Sequence, residues 1–144
     1  MPRTGVDLVR EIKFRAWDKR TKKMRQVIDI VFNAGMWLEP DDNTVKLIWV
    51  KGYDIIENKD IMMKREDKFE LMQYTGLKDK NGTDIYEGDI VRQDDEYWLV
   101  QYDNEDAMFT LYYDNVIENF SNMNSKWFEV IGNIYENPEL FKEE

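Results

Sequence analysis

The sequence predicts a mainly β protein: a small antiparallel barrel or sandwich with SH3-like hairpin elements and a short C-terminal helical turn. Three observations predict this fold class. Apolar and polar residues alternate with a period of two through most of the chain, as in strands that bury one face. Clusters of Gly, Asn, Asp and Pro separate the alternating segments. The 144 residues, 42% hydrophobic and 14% aromatic, are enough for one domain with a packed core.

The first third of the chain is predicted to contain three strands. IKFRAW (12–17) alternates strictly, DKRTK (18–22) is a predicted turn, and MRQVIDIVF (24–32) resumes the extended pattern. VKLIWV (45–50) is apolar on both faces and rich in β-branched residues, so we expect a buried strand there. Between the last two of these strands we expect loops at Asn33-Ala34-Gly35 and EPDDNT (39–44).

The segment ENKDIMMKREDKFELMQY (57–74) fits two structures. Residues 61–68 would tolerate two turns of helix, because most of them are good helix formers. FELMQYT (69–75) alternates instead, as a strand does. We expect a loop or short helix followed by a strand from about Phe69.

Strands are predicted again in the C-terminal half. IVR (90–92), YWLVQYD (97–103) and MFTLYYD (108–114) alternate, and the acidic segments QDDE and NEDA between them are predicted turns. DNVIENFSNMNSK (114–126) is a predicted polar connector with a helical turn at Val116–Phe120.

The C terminus is predicted to add one more strand and a closing turn. WFEVIGNIY (127–135) has the strand pattern. NPEL (137–140) fits a single helical turn with Asn137 as cap and Pro138 at the first helical position.

The stretch MQYTGLKDKNGTDIYEGDIV (72–91) contains four carboxylates and an Asn-Gly pair within twenty positions. Asn81-Gly82 predicts a two-residue type I′ hairpin, whose central residues both need a positive φ, with Leu77 and Ile85 at the paired strand ends. Glu87-Gly88-Asp89 predicts a second turn that leads into the next strand. Two turns therefore explain this stretch as a β scaffold.

Two ligand sites remain as alternatives for the same stretch. Asp79-Lys80-Asn81-Gly82 resembles the start of a calcium loop, but its glycine comes fourth, whereas the EF-hand pattern needs glycine at position six and glutamate at twelve. Its three glycines are spaced six apart, which matches no phosphate-binding pattern, and the nearby acids would repel a phosphate. The four carboxylates that enter these alternatives are Asp79, Asp84, Glu87 and Asp89.

Three segments together resemble the YopX family of phage and prophage proteins: residues 72–91, IKFRAWDK (12–19) and WFEVIGNIYENPEL (127–140). The resemblance implies a small, mainly β protein encoded by a bacterial virus or an integrated prophage. It implies no established enzymatic activity and no catalytic residues. On this basis residues 1–9 are expected to be an N-terminal extension and residues 10–144 a single domain, in which the unmatched residues 32–68 are either an inserted lobe or an elaboration of the sheet.

Composition narrows the chemistry available to the protein. The chain has no cysteine and no histidine, which excludes disulfides, thiolate or His-ligated zinc, and Ser-His-Asp or Cys-His catalysis. No apolar run approaches the 18–20 residues, roughly, that a membrane span needs. We therefore expect a soluble cytoplasmic protein of a bacterial host cell, with no cofactor, no metal, no catalytic residue and no membrane partner.

Charge is distributed unevenly along the chain. Residues 1–29 contain nine Lys/Arg and four Asp/Glu (+5), whereas residues 93–144 contain two and thirteen (−11). The acidic excess makes nucleic acid an unfavourable partner, since phosphate neutralisation provides most of that affinity. We expect the basic segment to attract the acidic one, within a subunit or between subunits. The basic residues that form a cluster on the first predicted turn are Lys19, Arg20, Lys22, Lys23 and Arg25.

Two further groups could form sites but have simpler explanations. Aromatic residues of the C-terminal half could stack on single-stranded nucleic acid, but core packing explains them better in an acidic environment. Acidic turn residues could bind magnesium, but solvation explains them better, because adjacent carboxylates in a strand point to opposite faces or lie in solvated turns. The aromatic residues are Tyr97, Trp98, Tyr102, Phe109, Tyr112, Tyr113, Trp127 and Phe128, and the acidic residues are Asp94, Asp95, Glu96, Glu105 and Asp106.

The leading functional hypothesis is a non-enzymatic phage or prophage accessory protein, a β-rich module that binds a host or phage protein through an acidic surface and forms homo-oligomers. A version of it is a DNA mimic that engages a host DNA-binding protein. The alternatives are a nucleic-acid-associated factor that uses the basic segment and a carboxylate- and magnesium-dependent hydrolase.

Overall fold

The computed structural model describes residues 10–32, 47–64 and 69–141. These residues form eleven strands and almost no helix. The strands are β1 Phe14–Asp18, β2 Lys23–Phe32, β3 Leu47–Asp54, β4 Lys59–Lys64, β5 Phe69–Lys78, β6 Asp84–Tyr86, β7 Asp89–Gln93, β8 Glu96–Asp103, β9 Met108–Tyr113, β10 Val116–Asn119 and β11 Glu129–Asn133.

The strands form two open antiparallel sheets. The first sheet has the order β4-β3-β2-β1-β5-β6, and the second has the order β10-β9-β8-β7-β11. Neither sheet closes on itself, so the barrel alternative is wrong. The SH3-like hairpin elements are not confirmed, because β6 and β7 belong to different sheets and their connecting turn forms no hairpin.

The predicted strands of the N-terminal third are confirmed. β1 and β2 pair in the register Ala16↔Arg25 across the turn at residues 19–22, and β1 also pairs with β5. β3 extends the predicted third strand to Asp54, and β3 and β4 continue the first sheet beyond β2. The predicted extension (1–9) and the loop clusters at 33–35 and 39–44 lie outside the described residues.

Two helical expectations are wrong. Residues 59–64, placed in a loop or short helix, form strand β4, because Ile61 and Met63 pair against β3 and pack into its core. Val116–Phe120 does not form a helical turn, because β10 pairs with β9 from Val116↔Tyr113 onward. In both cases cross-strand pairing outweighs a local preference of a few tenths of a kcal/mol, roughly, per residue.

The turn after β5 lies where it was predicted but has a different type. Gly82 has a φ of 79°, whereas Asn81 does not have a positive φ, which rules out type I′. The Gly82 amide donates to the Asp79 carbonyl (3.0 Å), and the Asp79 amide donates to the Thr83 carbonyl (2.9 Å). This is a β-turn followed by a left-handed glycine, the usual three-residue hairpin loop. A two-residue turn with both central φ values positive occurs instead at Asp114-Asn115 (46° and 65°).

The described residues form two apolar cores, and the larger one takes side chains from both sheets, including buried Ile85 of β6. The core of the second sheet is centred on Val91, Val100 and Leu111, and partly buried Leu77 of β5 packs against it. The core of the first sheet is smaller and is centred on Ala16, Val50 and Met63, all fully buried. The chain passes between the two sheets at Glu87-Gly88, so the stretch 72–91 connects the two halves of the fold.

The C-terminal residues form one 3₁₀ turn, Pro138–Leu140, after β11. Asn137 lies at the N-cap position and Pro138 begins the turn, as predicted, although the Asn137 side chain makes no cap hydrogen bond. Its Oδ1 accepts instead from the Asn133 amide (3.3 Å). Within the described residues, no helix has both the length and the apolar character needed to cross a membrane.

Candidate interaction surface

The carboxylate of Asp79, the first candidate ligand of the calcium alternative, is used by the fold itself. It is buried, and its Oδ1 accepts from the amides of Asn81 (2.8 Å) and Thr83 (2.9 Å) inside the hairpin loop. Its Oδ2 accepts from the amide of Val130 in β11 (2.9 Å). Asp79 therefore stabilises the loop and ties it to the second sheet, as the turn interpretation requires.

The other three carboxylates of the stretch also have protein partners. Asp84 pairs with Lys13 (2.5 Å) and Lys78 (2.6 Å), and the two ammonium groups outweigh burial, so the pKa of Asp84 is lowered. Glu87 accepts from the Gln73 amide (2.8 Å), and burial raises the pKa of its carboxyl. Asp84 begins β6 and Glu87 lies in the turn after it, and each carboxylate is held by a different donor. Among the described residues, no three Asp, Glu, His or Cys side chains converge as a metal-binding group does.

Asp89 forms the most buried ion pair between the two sheets. Its side chain is 2% exposed, and its Oδ1 lies 2.6 Å from Arg15 Nη2 of β1. Its Oδ2 accepts from the Tyr86 amide (2.8 Å), and Tyr86 also lies 4.7 Å below the Arg15 guanidinium. Burial nevertheless raises the pKa of Asp89, against the opposing effect of Arg15.

Backbone hydrogen bonds reinforce the same junction. The Gly88 amide donates to the Val100 carbonyl of β8 (2.7 Å), and the Gly88 carbonyl accepts from the Ile134 amide after β11 (3.0 Å). Trp17 of β1 stacks on Tyr135, with ring centroids 6.0 Å apart. The junction thus joins residues of all three sequence segments singled out above, and its geometry explains them by the docking of two sheets.

The acidic magnesium candidates do not form one site. Asp94, Asp95 and Glu96 lie at the start of β8, and Glu105 and Asp106 lie in the turn after its end. An eight-residue strand is about 25 Å long, so the two groups cannot share an ion. All five are exposed. In the second turn, Asp103 Oδ1 accepts from the Glu105 amide (2.8 Å), which agrees with a solvated turn.

The aromatic residues are divided between the core and the surface. Trp98 and Phe128 are buried in the core of the second sheet, with partly buried Tyr113 packed against them. Tyr102 and Phe109 form an edge-to-face pair on adjacent strands. Trp127 is 61% exposed. The set therefore packs mainly as sheet pairs rather than as a continuous stacking platform.

Most of the basic segment is paired with carboxylates close to it. Arg25 pairs with Asp54 (2.6 Å) and Lys19 with Glu70 (2.7 Å), while Arg20 lies 3.4 Å from Asp18. None of these partners belongs to the acidic residues 93–141. These ion pairs therefore do not provide the expected attraction between the basic and the acidic segment within one subunit. Lys22 and Lys23 are exposed, and neither has an ion-pair partner in the described part of the chain.

The hairpin tip between β3 and β4 exposes two adjacent isoleucines. Ile55 is 82% exposed and Ile56 is 88% exposed. The tip is held by Asp54, whose Oδ1 accepts from the amides of Ile56 (2.9 Å) and Glu57 (3.0 Å) and whose Oδ2 lies 2.6 Å from Arg25 Nη1. The Glu57 amide and then the Arg25 guanidinium lower the pKa of Asp54 to about 2. The tip is thus a constrained turn that points apolar side chains outward.

These isoleucines border an open groove of about 860 Å³, here called the isoleucine groove. Its apolar lining is extended by half-exposed Ile28 (54%) and by Met24 of β2. The lining also contains Lys22 and Lys23 and the carboxylate of Glu136, which accepts from the Asn133 side chain. The residues that line this groove are Lys22, Lys23, Met24, Arg25, Gln26, Ile28, Tyr53, Asp54, Ile55, Ile56 and Glu136.

The sequence interpretation missed this surface. Its signal was present as an Ile-Ile pair between Asp54 and Glu57-Asn58, since an apolar pair inside a polar turn has no reason to be buried. The role of Asp54 could not be found in this way, because its partner Arg25 is 29 residues away.

The comparisons with known proteins agree with this fold. A crystal structure of protein EF1440 from Enterococcus faecalis matches with a TM-score of 0.56 and 26% sequence identity, over 92% of this chain and 99% of that one. A comparison with curated protein sequences found no match. The family model described as YopX protein matches residues 13–142, which include both sheets and the junction between them. The chain therefore belongs to the YopX family.

Proposed function

We propose that this protein is a non-enzymatic phage or prophage accessory protein that acts as a protein-binding module. The observation behind the proposal is the pair of isoleucines, 82% and 88% exposed, on a hairpin tip fixed by a buried ion pair. Family membership supports the phage or prophage context. The absence of His and Cys from the sequence, together with carboxylates that are engaged by the fold, supports a non-enzymatic role.

The energetic argument concerns the cost of the exposed side chains. Burying one isoleucine stabilises a complex by about 1.5–3 kcal/mol. A hairpin tip that keeps two of them in water, next to half-exposed Ile28, forgoes that stabilisation in the free protein. The tip is also ordered by its own hydrogen bonds, so a partner would pay little to order it. Such rigid apolar anchors are where binding energy concentrates in interfaces.

The charges around the groove indicate the chemistry of the partner. Lys22 and Lys23 have no ion-pair partner among the described residues, whereas Glu136 is the acid in the lining of the groove that is not held by arginine. A protein segment with apolar side chains flanked by carboxylates would complement this surface. The exposed acidic turns of the second sheet provide a separate surface of opposite sign, suited to a basic partner.

Nucleic acid is a weaker alternative for the basic segment. Its cations Lys13, Arg15 and Arg25 are paired with carboxylates, which leaves few free charges to neutralise phosphates. Fluorescence anisotropy with labelled single- and double-stranded DNA tests it. Submicromolar binding at physiological salt, lost when Lys22 and Lys23 are neutralised, would favour this alternative over the proposal.

Affinity capture from extract of a bacterial host tests the proposed function. The wild-type chain is compared with Ile55→Ser/Ile56→Ser and with the control Ile12→Ser, which changes a side chain that is 60% exposed and lies just before the start of β1. The captured protein is then purified and titrated calorimetrically. We expect the double variant to bind at least about tenfold more weakly and the control to bind as the wild type does. Equal affinities for all three chains would contradict the proposal.

A further inference from the structure

We propose that the isoleucine groove binds the exposed edge of strand β10 from a second copy of this chain, so that the protein self-associates head to tail. This inference rests on the proposed protein-binding function and names one partner for the same groove. It is carried by two surfaces of opposite charge, each with exposed apolar side chains, that lie on different sheets of one molecule.

The β10 edge has the apolar side chains that the groove requires. β10 is the outermost strand of the second sheet, and all four of its side chains are exposed. Val116 is 45% exposed and Ile117 is 57% exposed. An edge strand also presents backbone amides and carbonyls that can pair with another chain. The four-residue length is too short to form a stable sheet extension alone, so side-chain contacts must provide much of the binding.

The charges of the β10 edge complement those of the groove. Asp114 precedes the strand, Glu118 lies within it, and both are exposed. Neither forms an ion pair within the described ranges 10–32, 47–64 and 69–141. Lys22 and Lys23 at the groove likewise form no ion pair with any described residue. The two cations of the groove outnumber Glu136, its acid not held by arginine, so the groove complements the two anions beside the apolar side chains of the β10 edge.

The same charges disfavour a two-fold symmetric contact. Two grooves facing each other would bring the unpaired lysines of both copies together, and two β10 edges would bring Asp114 and Glu118 together with their equivalents. Like charges across an interface oppose binding. The favoured contact is heterologous: a pair keeps a free groove on one copy and a free edge on the other, and so extends to a ring or a chain. Because exposed charges are screened by salt, assembly should weaken as salt increases.

Sedimentation velocity on single-site variants tests the inference. Ile56→Asp alters the groove, Ile117→Asp alters the β10 edge, and the control Ile12→Asp places the same charge at an exposed site on neither surface. All three positions are exposed, and circular dichroism checks that each variant is folded. We expect the wild type and the control to form assemblies that grow with protein concentration and shrink with added salt. Each of the other variants should be monomeric.

Mixing the two surface variants gives the sharpest result. The Ile56→Asp chain retains an intact edge and the Ile117→Asp chain retains an intact groove, so an equimolar mixture should form a 1:1 dimer and nothing larger. A wild type that stays monomeric up to about 100 μM, a variant that assembles alone, or a mixture that remains monomeric would overturn the inference. The proposed function would fail separately, when a captured partner binds Ile55→Ser/Ile56→Ser as tightly as the wild type.

Discussion

Two buried Arg–Asp pairs with the same separation behave differently in this molecule. Arg15–Asp89 and Arg25–Asp54 are both 2.6 Å apart, and both aspartates are almost fully buried. Burial raises the pKa of Asp89, whereas the pKa of Asp54 is lowered to about 2. Desolvation is the largest effect on Asp89 and outweighs both Arg15 and the Tyr86 amide. The largest effect on Asp54, in contrast, is the hydrogen bond from the Glu57 amide, with Arg25 second and desolvation third. The balance between burial and the donors to the carboxylate therefore decides the sign of each shift.

The two pairs also serve different purposes. Arg15–Asp89 joins two strands from different sheets, and the Arg15 guanidinium also lies over the Tyr86 ring. Arg25–Asp54 lies within one sheet and fixes a turn whose next two side chains are in solvent. The first pair therefore stabilises the whole fold, whereas the second fixes the shape of a surface.

Removing Arg15 should have the largest effect. Arg15→Met leaves the buried Asp89 carboxylate without its counter-charge, and such a change costs about 3–5 kcal/mol. The control Lys19→Met removes an exposed pair with Glu70 and should cost at most about 1 kcal/mol. Urea unfolding at neutral pH measures both. Equal losses would show that the junction does not depend on the buried pair.

The two turn glycines should respond differently to alanine. Gly88 has a φ of 86°, and a Cβ there would lie 3.1 Å from Met72 Sδ and 3.6 Å from Tyr135. Gly82 has a φ of 79° with nothing within 4 Å of a Cβ. Gly82→Ala should therefore cost about 1–2 kcal/mol from backbone strain alone. Gly88→Ala should cost about 1–3 kcal/mol more from crowding at the junction. Chemical denaturation measures the free energy of unfolding of both variants. A larger loss of stability in Gly82→Ala than in Gly88→Ala would contradict this prediction.

The two aspartates should affect acid stability in opposite directions. Asp54 has a pKa of about 2 in the folded state, below its ordinary value of 3.8. The stabilisation that its ionised form provides is therefore present above pH 3.8 and is lost as the pH falls from 3.8 to about 2. Asp89 has a raised pKa in the folded state, so its ionisation opposes folding as pH rises through that pKa.

Neutral variants separate these two contributions. In urea midpoints measured from about pH 2 to pH 6, Asp54→Asn should flatten the acid loss of stability, and Asp89→Asn should not. If the Asp54→Asn variant lost stability with falling pH as steeply as the wild type, Asp54 would not be the group that causes the loss of stability in acid.

The smallest effect on stability is expected at the hairpin tip. Ile55→Ser/Ile56→Ser changes two side chains that make few contacts, so the free energy of unfolding should stay within about 0.5 kcal/mol of the wild type. Thermal and urea unfolding measure this. A loss comparable to that of Arg15→Met would mean that the tip packs within the fold, and it would remove the argument for an interaction surface.

The described C-terminal half shows how far local patterns can be trusted. The strands at 90–92, 97–103 and 108–114 were predicted from alternation and are confirmed, because period-two burial follows from strand geometry alone. The strand at Val116–Asn119 was missed, because its side chains are exposed on both faces and show no alternation. Only its pairing with β9 makes it a strand.

The sequence by itself determined the mainly β class, the family resemblance and the positions of the turns at residues 79–83 and 87–88, because alternation and turn chemistry are local properties. The tertiary structure alone decided the turn type at Asn81-Gly82, the crossing between sheets at Gly88 and the partners of Asp89 and Asp54. It also decided that Ile55 and Ile56 remain in solvent. The physical reason is distance along the chain: Arg15 and Asp89 are 74 residues apart, and no local pattern records which strands will bring two such groups together.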